Sequence, residues 1–473
     1  MLWFRGSTLV SKTCWTQRHL FRRLRCQLYS SISSASSSKV RTAAHESACI
    51  DGDCADFLPW LELNAGTEIS SVLSIGESAY GRSLFACRPI KAGDCILKVP
   101  YSVQLSSNNL PLGLNSLLGD QVSNVAKVAL FVLYEQQLGE QSEWAPYISR
   151  LPQPTEMHST IFWDHHELEM IQQSPLYQET IRQKKIVETD FLVIMEALSH
   201  FLEHHLVITL EDFKYAYALV TSRAWESSNG VSMIPFADFL NHDGGSDSCV
   251  LNDDGKQHSE VIADRDYAPG DQVLIRYGKF SNATLLLDFG FALLYNAYDQ
   301  VQVKLNIPQQ DHLSSLKLEL LSKHCTPAIK DVNVFNSAGN SFTLKEVRSA
   351  QGKGRGIPQS FRAYARVMCS NSPQEINDLA IEAAENDGRL ARRPLRDKCR
   401  EIEAHQFLLL RITELIKLYN ASIKSLELQT SLRVVNKPAC RYMMAHDLLS
   451  GELRILKSAA EWLENYCVKL LQV

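Results

Sequence analysis

The sequence predicts an α+β protein: a mostly β core interrupted by a helical insert, followed by an all-helical C-terminal region. Three observations carry this. Short alternating or apolar runs near residues 83–99 and 260–276 read as strands. Between them, apolar residues recur at helical spacing from about 115 to 228. Beyond about residue 303 only helical spacing remains. The length of 473 residues allows two or three domains with sizeable cores. With 45% hydrophobic and 21% charged residues the chain has the balance of a globular protein, not of a disordered or collagenous one. No apolar run is long enough for a membrane span.

Charge is unevenly placed. Residues 1–45 carry eight Lys/Arg and no acid, and Ser30–Ser38 is serine-rich. That composition reads as an organelle transit peptide, mitochondrial by its arginines or plastid by its serines, with the mitochondrion favoured. The rest holds 40 basic against 53 acidic residues, which argues against nucleic acid as a partner, because phosphate neutralisation needs the opposite sign. Twelve cysteines without a single CxxC pair fit a reducing compartment and no structural zinc.

Taken in order, Phe57-x-x-Trp60-Leu61 before Gly66 predicts a short helix with a glycine cap. Ser83–Cys87 and Cys95–Val99, joined by Pro89-Ile90-Lys91-Ala92-Gly93-Asp94, read as a hairpin. Phe191, Ile194, Leu198, Phe201 and Leu202 mark one helix face, and Phe213, Ala216, Tyr217 and Val220 another. Glu260–Ala263 and Gln272–Arg276 flank the Pro269-Gly270-Asp271 turn as strands. In the tail, Leu408, Ile412, Leu415 and Leu418 share a face, as do Leu453, Leu456, Ala460 and Leu463.

Several motifs carry no chemistry. Gly352-x-Gly354-x-Gly356 follows no strand and lacks the phosphate-loop ending, so it reads as a surface loop. His165-His166-Glu167 and His204-His205 lack metal-ligand spacing and read as solvated or core histidines; no metal is expected. No GxSxG is present to support a serine hydrolase. The stretch from Ser222 to Phe291 differs. Ser222-Arg223-Ala224-Trp225 ends a helix, and Ile234-Pro235-Phe236-Ala237-Asp238-Phe239-Leu240 leads into Asn241-His242. Arg276-Tyr277-Gly278 ends a strand, and Leu287-Asp288-Phe289-Gly290-Phe291 follows.

The order of these segments resembles a SET-domain methyltransferase of the branch typified by the Rubisco large-subunit lysine methyltransferase. Tyr80-Gly81-Arg82-Ser83-Leu84-Phe85-Ala86 with Gly93-Asp94 is similar to the first SET motif. Trp144-Ala145-Pro146-Tyr147-Ile148 with Leu151-Pro152 is similar to the signature of the branch's helical insert, and Asn241-His242 to its Asn-His motif. The resemblance spans about residues 55–473. It implies a SET domain over 46–302 with a helical insert at about 106–210, and a helical substrate-binding domain over 303–473.

The resemblance further implies S-adenosyl-L-methionine as cofactor and a non-histone protein as substrate, with the enzyme a monomer. Tyr80, Gly81 and Arg82 would offer the cofactor a close backbone approach. Arg223 would pair with its carboxylate, Asn241 and His242 would bond its amino group and adenine, and Phe289 would complete the pocket. Trp225 and Phe291 would line the substrate channel. The branch's Asp-Tyr-Gly-Phe tyrosine is replaced here by Phe289, which leaves Tyr277 as the catalytic candidate. Trp225 after the Arg-Ala step resembles the lysine-modifying pattern, so lysine is the first acceptor. Histidine methylation, and a catalytically silent binding module, are the alternatives.

Overall fold

The structure is a computed structural model that describes residues 56–79, 81–201, 207–227, 230–305, 311–324, 333, 335, 340–350, 353–430 and 437–472. Tyr80, Gly352, His204-His205 and the whole of the expected transit peptide lie outside the described residues. The chain divides into two compact units. Of the described residues, the first comprises those within 56–119, 123–151 and 223–278; the second comprises those within 120–122, 152–222 and 279–472.

In the first unit, helix α1 (Phe57–Ala65) ends as expected on Gly66 in the left-handed conformation. Strands β1 (Leu73–Ser78) and β2 (Gly81–Ala86) form an antiparallel pair in register Ser78↔Gly81. β3 (Cys95–Pro100) pairs with β9 (His258–Ile262), which also carries β8 (Val250–Asp253). β6 (Gly230–Met233) lies between β4 (Leu105–Ser106) and β5 (Ala224–Ser227). β7 (Asn241–His242) and β10 (Leu274–Ile275) form a two-residue parallel pair. Helix α2 (Asn124–Leu138), capped by the Ser123 hydroxyl, contributes the fully buried Ala126, Val128, Ala129 and Val132.

One expectation fails here. Residues 83–99 do not form a hairpin with each other. β2 pairs backwards with β1, and β3 pairs with β9. The intervening Pro89–Asp94 turn instead closes on the 263–267 backbone: Ile90 and Tyr267 exchange both hydrogen bonds, and Gly93 N donates to Ala263 O at 2.9 Å. Pro89–Asp94 turns as its residues dictate, but the strand partners are distant in sequence, where local signals carry no information.

The second unit is mainly helical. Helix α3 (Pro175–Phe201) buries Ile194 and Leu198 of the first predicted face, of which Leu202 lies outside the described residues, and α4 (Leu210–Arg223) buries Phe213, Ala216, Tyr217 and Val220 of the second. β11 (Gln300–Lys304) pairs antiparallel with β12 (Ser341–Lys345). Helices α5 (Gln359–Met368), α6 (Lys398–Thr430) and α7 (Lys437–Gln472) complete the unit. Its core joins Trp163, Leu168, Ile171 and Leu176 to Leu408, Ile412, Leu453, Leu456 and Leu463. Residues of the insert and of the tail therefore share one hydrophobic cluster. Leu418 departs from its predicted face and is 46% exposed, because the buried row passes to Tyr419. In the glycine loop Lys353 and Arg355 are exposed, as a surface loop requires, but Gly354 between them is buried. A Cβ on Gly354 would lie 2.6 Å from the Trp462 ring, so the residue is buried under that ring. Among the described residues, no helix is long and apolar enough to cross a membrane.

Candidate active site

The site in the first unit is organised around five consecutive residues, Asp238–Asn241 and His242. The chain enters them through Phe236, which is fully buried at a φ of +72°. A left-handed phenylalanine is costly and persists only where its surroundings over-determine it. Here a 3-10 turn over Ala237–Phe239 follows at once, with Asp238 N donating to Ile234 O at 3.0 Å and Leu240 N to Ala237 O at 3.1 Å. The turn buries Phe239 and Leu240 and presents Asn241 and His242 as half-buried residues.

The parallel pairing of β7 with β10 sets Asn241 opposite Leu274 and His242 opposite Ile275. Tyr277 therefore leaves the end of β10 beside His242. Its backbone N–H donates to His242 Nδ1 at 3.1 Å, and the two rings lie 5.2 Å apart. The Tyr277 hydroxyl donates to Leu240 O at 2.7 Å. Accepting a backbone hydrogen bond requires a lone pair on Nδ1, so the His242 ring is neutral; burial lowers its pKa to about 4. Burial also raises the Tyr277 phenol to about 12, which keeps it protonated.

Opposite this segment, Gly81 opens β2 at a φ of +84°, a conformation that favours glycine, and open space surrounds the position a Cβ would take. Asn241 Nδ2 donates to Arg82 O at 3.3 Å. The Arg82 guanidinium donates to Arg150 O and lies over the Phe239 ring, 5.6 Å from its centroid. At the end of α4, Arg223 donates to Asp238 O at 2.9 Å and stands 3.5 Å from Asp238 Oδ2. That same oxygen accepts from the Tyr147 hydroxyl at 2.7 Å. Burial pushes the Asp238 carboxyl up, and the Arg223 charge and the Tyr147 hydrogen bond pull it down.

The structure thus brings Gly81, Arg82, Arg223, Asn241, His242 and Tyr277 around one segment. Trp225 is 8% exposed and stands opposite Ser232 in the β5–β6 pair, so most of its ring is packed in the first unit. Phe289 and Phe291 belong to the second unit. They are half-buried at a π-helical turn, Leu285–Phe289, with ring centroids 6.3 Å apart and Phe280 5.6 Å from Phe289. Such turns recur at functional sites.

Sequence reasoning missed Asp238 and the role of Tyr147. The signal was present: a single acid in the apolar run 234–240 needs a buried cation or hydrogen-bond donors. His165 and His166 are exposed, as expected, and converge on Glu169 at 3.3 and 3.7 Å.

These residues fit the implied cofactor on two observations. Arg223 Nε is a buried N–H with no hydrogen-bond partner, as an anionic group beside it would require. Gly81 leaves an unfilled approach to the backbone.

Fold and site together define a SET-type domain joined to a helical one. Residues 81–278 match the SET domain family, and residues 308–456 match the Rubisco LSMT substrate-binding family. The chain thus carries a match to the SET domain followed by a match to the Rubisco LSMT substrate-binding domain. Actin-histidine N-methyltransferase of Mus musculus is 26% identical over 446 residues, 88% of this chain and 70% of that protein. The Homo sapiens protein of the same name is 27% identical over 444 residues, again 88% and 70%. Among solved structures, Rubisco LSMT bound to AdoMet superimposes with a TM-score of 0.68 at 21% identity, covering 89% of this chain and 94% of that one. The SET domain of LSMT bound to lysine and AdoHcy gives 0.68 at 21%, covering 89% and 93%.

Proposed function

We propose that this chain is a protein N-methyltransferase that uses S-adenosyl-L-methionine and acts on a side-chain nitrogen of a non-histone protein. The observation that carries the reading is the register of β7 with β10. Within the matched SET domain it sets Asn241, His242 and Tyr277 side by side, with Asn241 bonded to the carbonyl of Arg82. Bound cofactor would supply an activated methyl sulfonium. Gly81, Arg82, Arg223, Asn241 and His242 would hold it, Arg223 through its planar fork and unpaired Nε–H. Neutral His242 accepts the Tyr277 backbone N–H and thereby fixes the strand end. Protonated Tyr277 does not serve as a base. Its oxygen donates to Leu240 O, and a phenol oxygen is also an acceptor able to take an N–H and orient the acceptor nitrogen. A lysine acceptor would lose its proton through desolvation next to a cationic sulfonium.

Lysine is the acceptor on this reading, supported by Trp225 after the Arg-Ala step and by the likeness to Rubisco LSMT structures. Histidine is the alternative, favoured by the actin-histidine N-methyltransferases that align with 88% of the chain. Incubating the full chain with labelled S-adenosylmethionine and a cell extract, then mapping the labelled residue by mass spectrometry, decides between them. Methyl-lysine is expected, and methyl-histidine selects the alternative. Cofactor binding without any labelling would leave a binding module. Residues 1–45 are proposed to act as an organelle address, mitochondrial in the first instance. N-terminal sequencing of protein from cells should find the mature end between about residues 26 and 50; an intact Met1 in cytosolic protein would overturn this.

A further inference from the structure

The turn that carries Phe289 and Phe291 is held in place from outside itself. The Ser159 hydroxyl donates to Leu287 O at 2.5 Å, one turn ahead of the aromatics. Gly290 has a φ of +76°, and a Cβ there would stand 2.8 Å from Ser159 N and 3.1 Å from His158 C. Two backbones therefore touch at Gly290, with no room for a side chain. The partner backbone, residues 157–162, is an irregular loop with a single 3-10 turn at Thr160–Phe162. Trp163 helps close it, donating from Nε1 to His158 O at 3.0 Å.

The far side of this loop is held by one side chain of helix α7. Arg441 donates to Phe162 O at 3.2 Å and to Met157 O at 3.5 Å, and forms an ion pair with Glu167 at 2.5 Å. Its side chain is 7% exposed. The two carbonyls are the ends of the stretch whose middle is Ser159. Glu167 is itself fixed by a reciprocal cap with Asp164, at 2.8 and 3.0 Å. A guanidinium suits this task because its planar fork reaches two carbonyls and a carboxylate in fixed directions, which a lysine cannot do.

We infer that Arg441 is a positioning residue for the aromatic turn: its guanidinium fixes loop 157–162, and the loop, through Ser159, fixes Phe289 and Phe291. The inference rests on the roles that the family resemblance implies for these residues, Phe289 at the cofactor and Phe291 along the substrate channel. It gives α7 a role in the reaction geometry besides any role in holding the substrate, and none of its groups touches a reacting atom.

The test uses the full chain in four variants: Arg441→Met, Arg441→Lys, Ser159→Ala, and Arg441→Met combined with Ser159→Ala. Amide hydrogen exchange is read in peptides covering 285–291 and, as a reference, in β11. Exchange at 285–291 should rise about tenfold in Arg441→Met and in Ser159→Ala, with no further rise in the double variant. Arg441→Lys should restore little of the protection. Labelling of a cell extract with S-adenosylmethionine should slow by about the same factor in each variant, while β11 keeps its wild-type exchange. An Arg441 that merely stabilises the unit would raise exchange in β11 and at 285–291 alike, and Ser159→Ala would not reproduce it. That result overturns the inference, as does wild-type protection at 285–291 in Arg441→Met. If Arg441→Met does not fold, Ser159→Ala and Arg441→Lys carry the same comparison. Phe289→Ala separates the two layers: wild-type labelling there refutes the role of the turn, whereas slowed labelling there with wild-type exchange in Arg441→Met refutes Arg441 alone.

Discussion

The two units place their buried polar groups differently. In the first unit, side chains reach for the backbone of one half-buried segment: Arg223 to Asp238 O, Tyr277 to Leu240 O, and Asn241 to Arg82 O. Arg223 also holds a buried Nε–H without a hydrogen-bond partner. In the second unit, charged side chains close on one another. Glu401 is fully buried between Arg366 at 2.6 Å and the Tyr466 hydroxyl at 2.8 Å. Glu452 takes hydrogen bonds from the Ser174 and Tyr419 hydroxyls, at 2.8 and 2.9 Å. Buried pairs of this kind tie helices to one another, whereas side chains that brace a half-buried backbone segment hold a site in shape. The candidate site around Asp238–His242 lies within the matched SET domain, although the helical unit holds more buried charge.

The largest effect should come from breaking one ion pair in each unit. Asp238→Ala leaves Arg223 without its carboxylate and Tyr147 without its acceptor, and Glu401→Ala strands Arg366. Each should cost about 3–5 kcal/mol in chemical denaturation. Only Asp238→Ala should also weaken binding of S-adenosylhomocysteine by the remaining folded protein. Equal loss of binding in both variants would erase the contrast. Next come the two buried tyrosine hydroxyls. Tyr277→Phe should lower the methylation rate by about 10²–10³, the range for a positioned polar group in a transition state. Tyr419→Phe, which removes the bonds to Glu452 and Gln173 O, should lower stability and leave the rate near wild type. A rate loss confined to Tyr419→Phe would reverse the assignment.

Gly290→Ala should cost about 1–3 kcal/mol, because a Cβ at a φ of +76° is strained and meets the Ser159 backbone. Thermal unfolding checks it, and a neutral substitution would mean the 157–162 loop yields freely. Smallest near neutral pH is the proton linkage, which has opposite signs for His242 and Glu452. His242, with its pKa lowered from 6.5 to about 4, binds protons more readily in the unfolded chain. Its stabilisation is therefore present above about pH 6.5 and is lost as pH falls towards 4. His405 in the helical unit has the same sign. Glu452, raised from 4.5 to about 8 by burial, works the other way: its contribution is full below about pH 4.5 and is lost as pH rises through 8. Hydrogen exchange between pH 5 and 8 should show Glu452→Gln flattening the alkaline loss in α7, with no change in β7–β10.

Much of this architecture was legible in the sequence. The Gly66 cap, the faces of α3 and α4, and the row Leu453–Leu463 follow from spacing that a helix must obey. Asn241, His242 and Tyr277 stood out because polar residues interrupt apolar strand-like runs. The partners did not. The pairing of β2 with β1 and of β3 with β9 depends on contacts far apart in sequence, and the hairpin expectation failed for that reason. The Arg223–Asp238–Tyr147 group was invisible in the same way, since its members come from three separated segments. Leu418 and Tyr419 exchanged places because a 3.6-residue helix drifts against a short repeat over the 33 residues of α6.

The central claim is that the Asp238–His242 segment, with Gly81, Arg82 and Arg223, forms the cofactor site. Calorimetric titration of the full chain with S-adenosylhomocysteine tests it most directly, comparing wild type with Arg223→Lys. The replacement keeps the charge beside Asp238 but removes the Nε–H and the planar fork. Saturable one-to-one binding to the wild-type chain is expected, weakened about ten- to a hundredfold in Arg223→Lys, with Asp238 still paired and the melting temperature little changed. No binding by the wild-type chain, or equal affinity in the two proteins, would contradict the assignment.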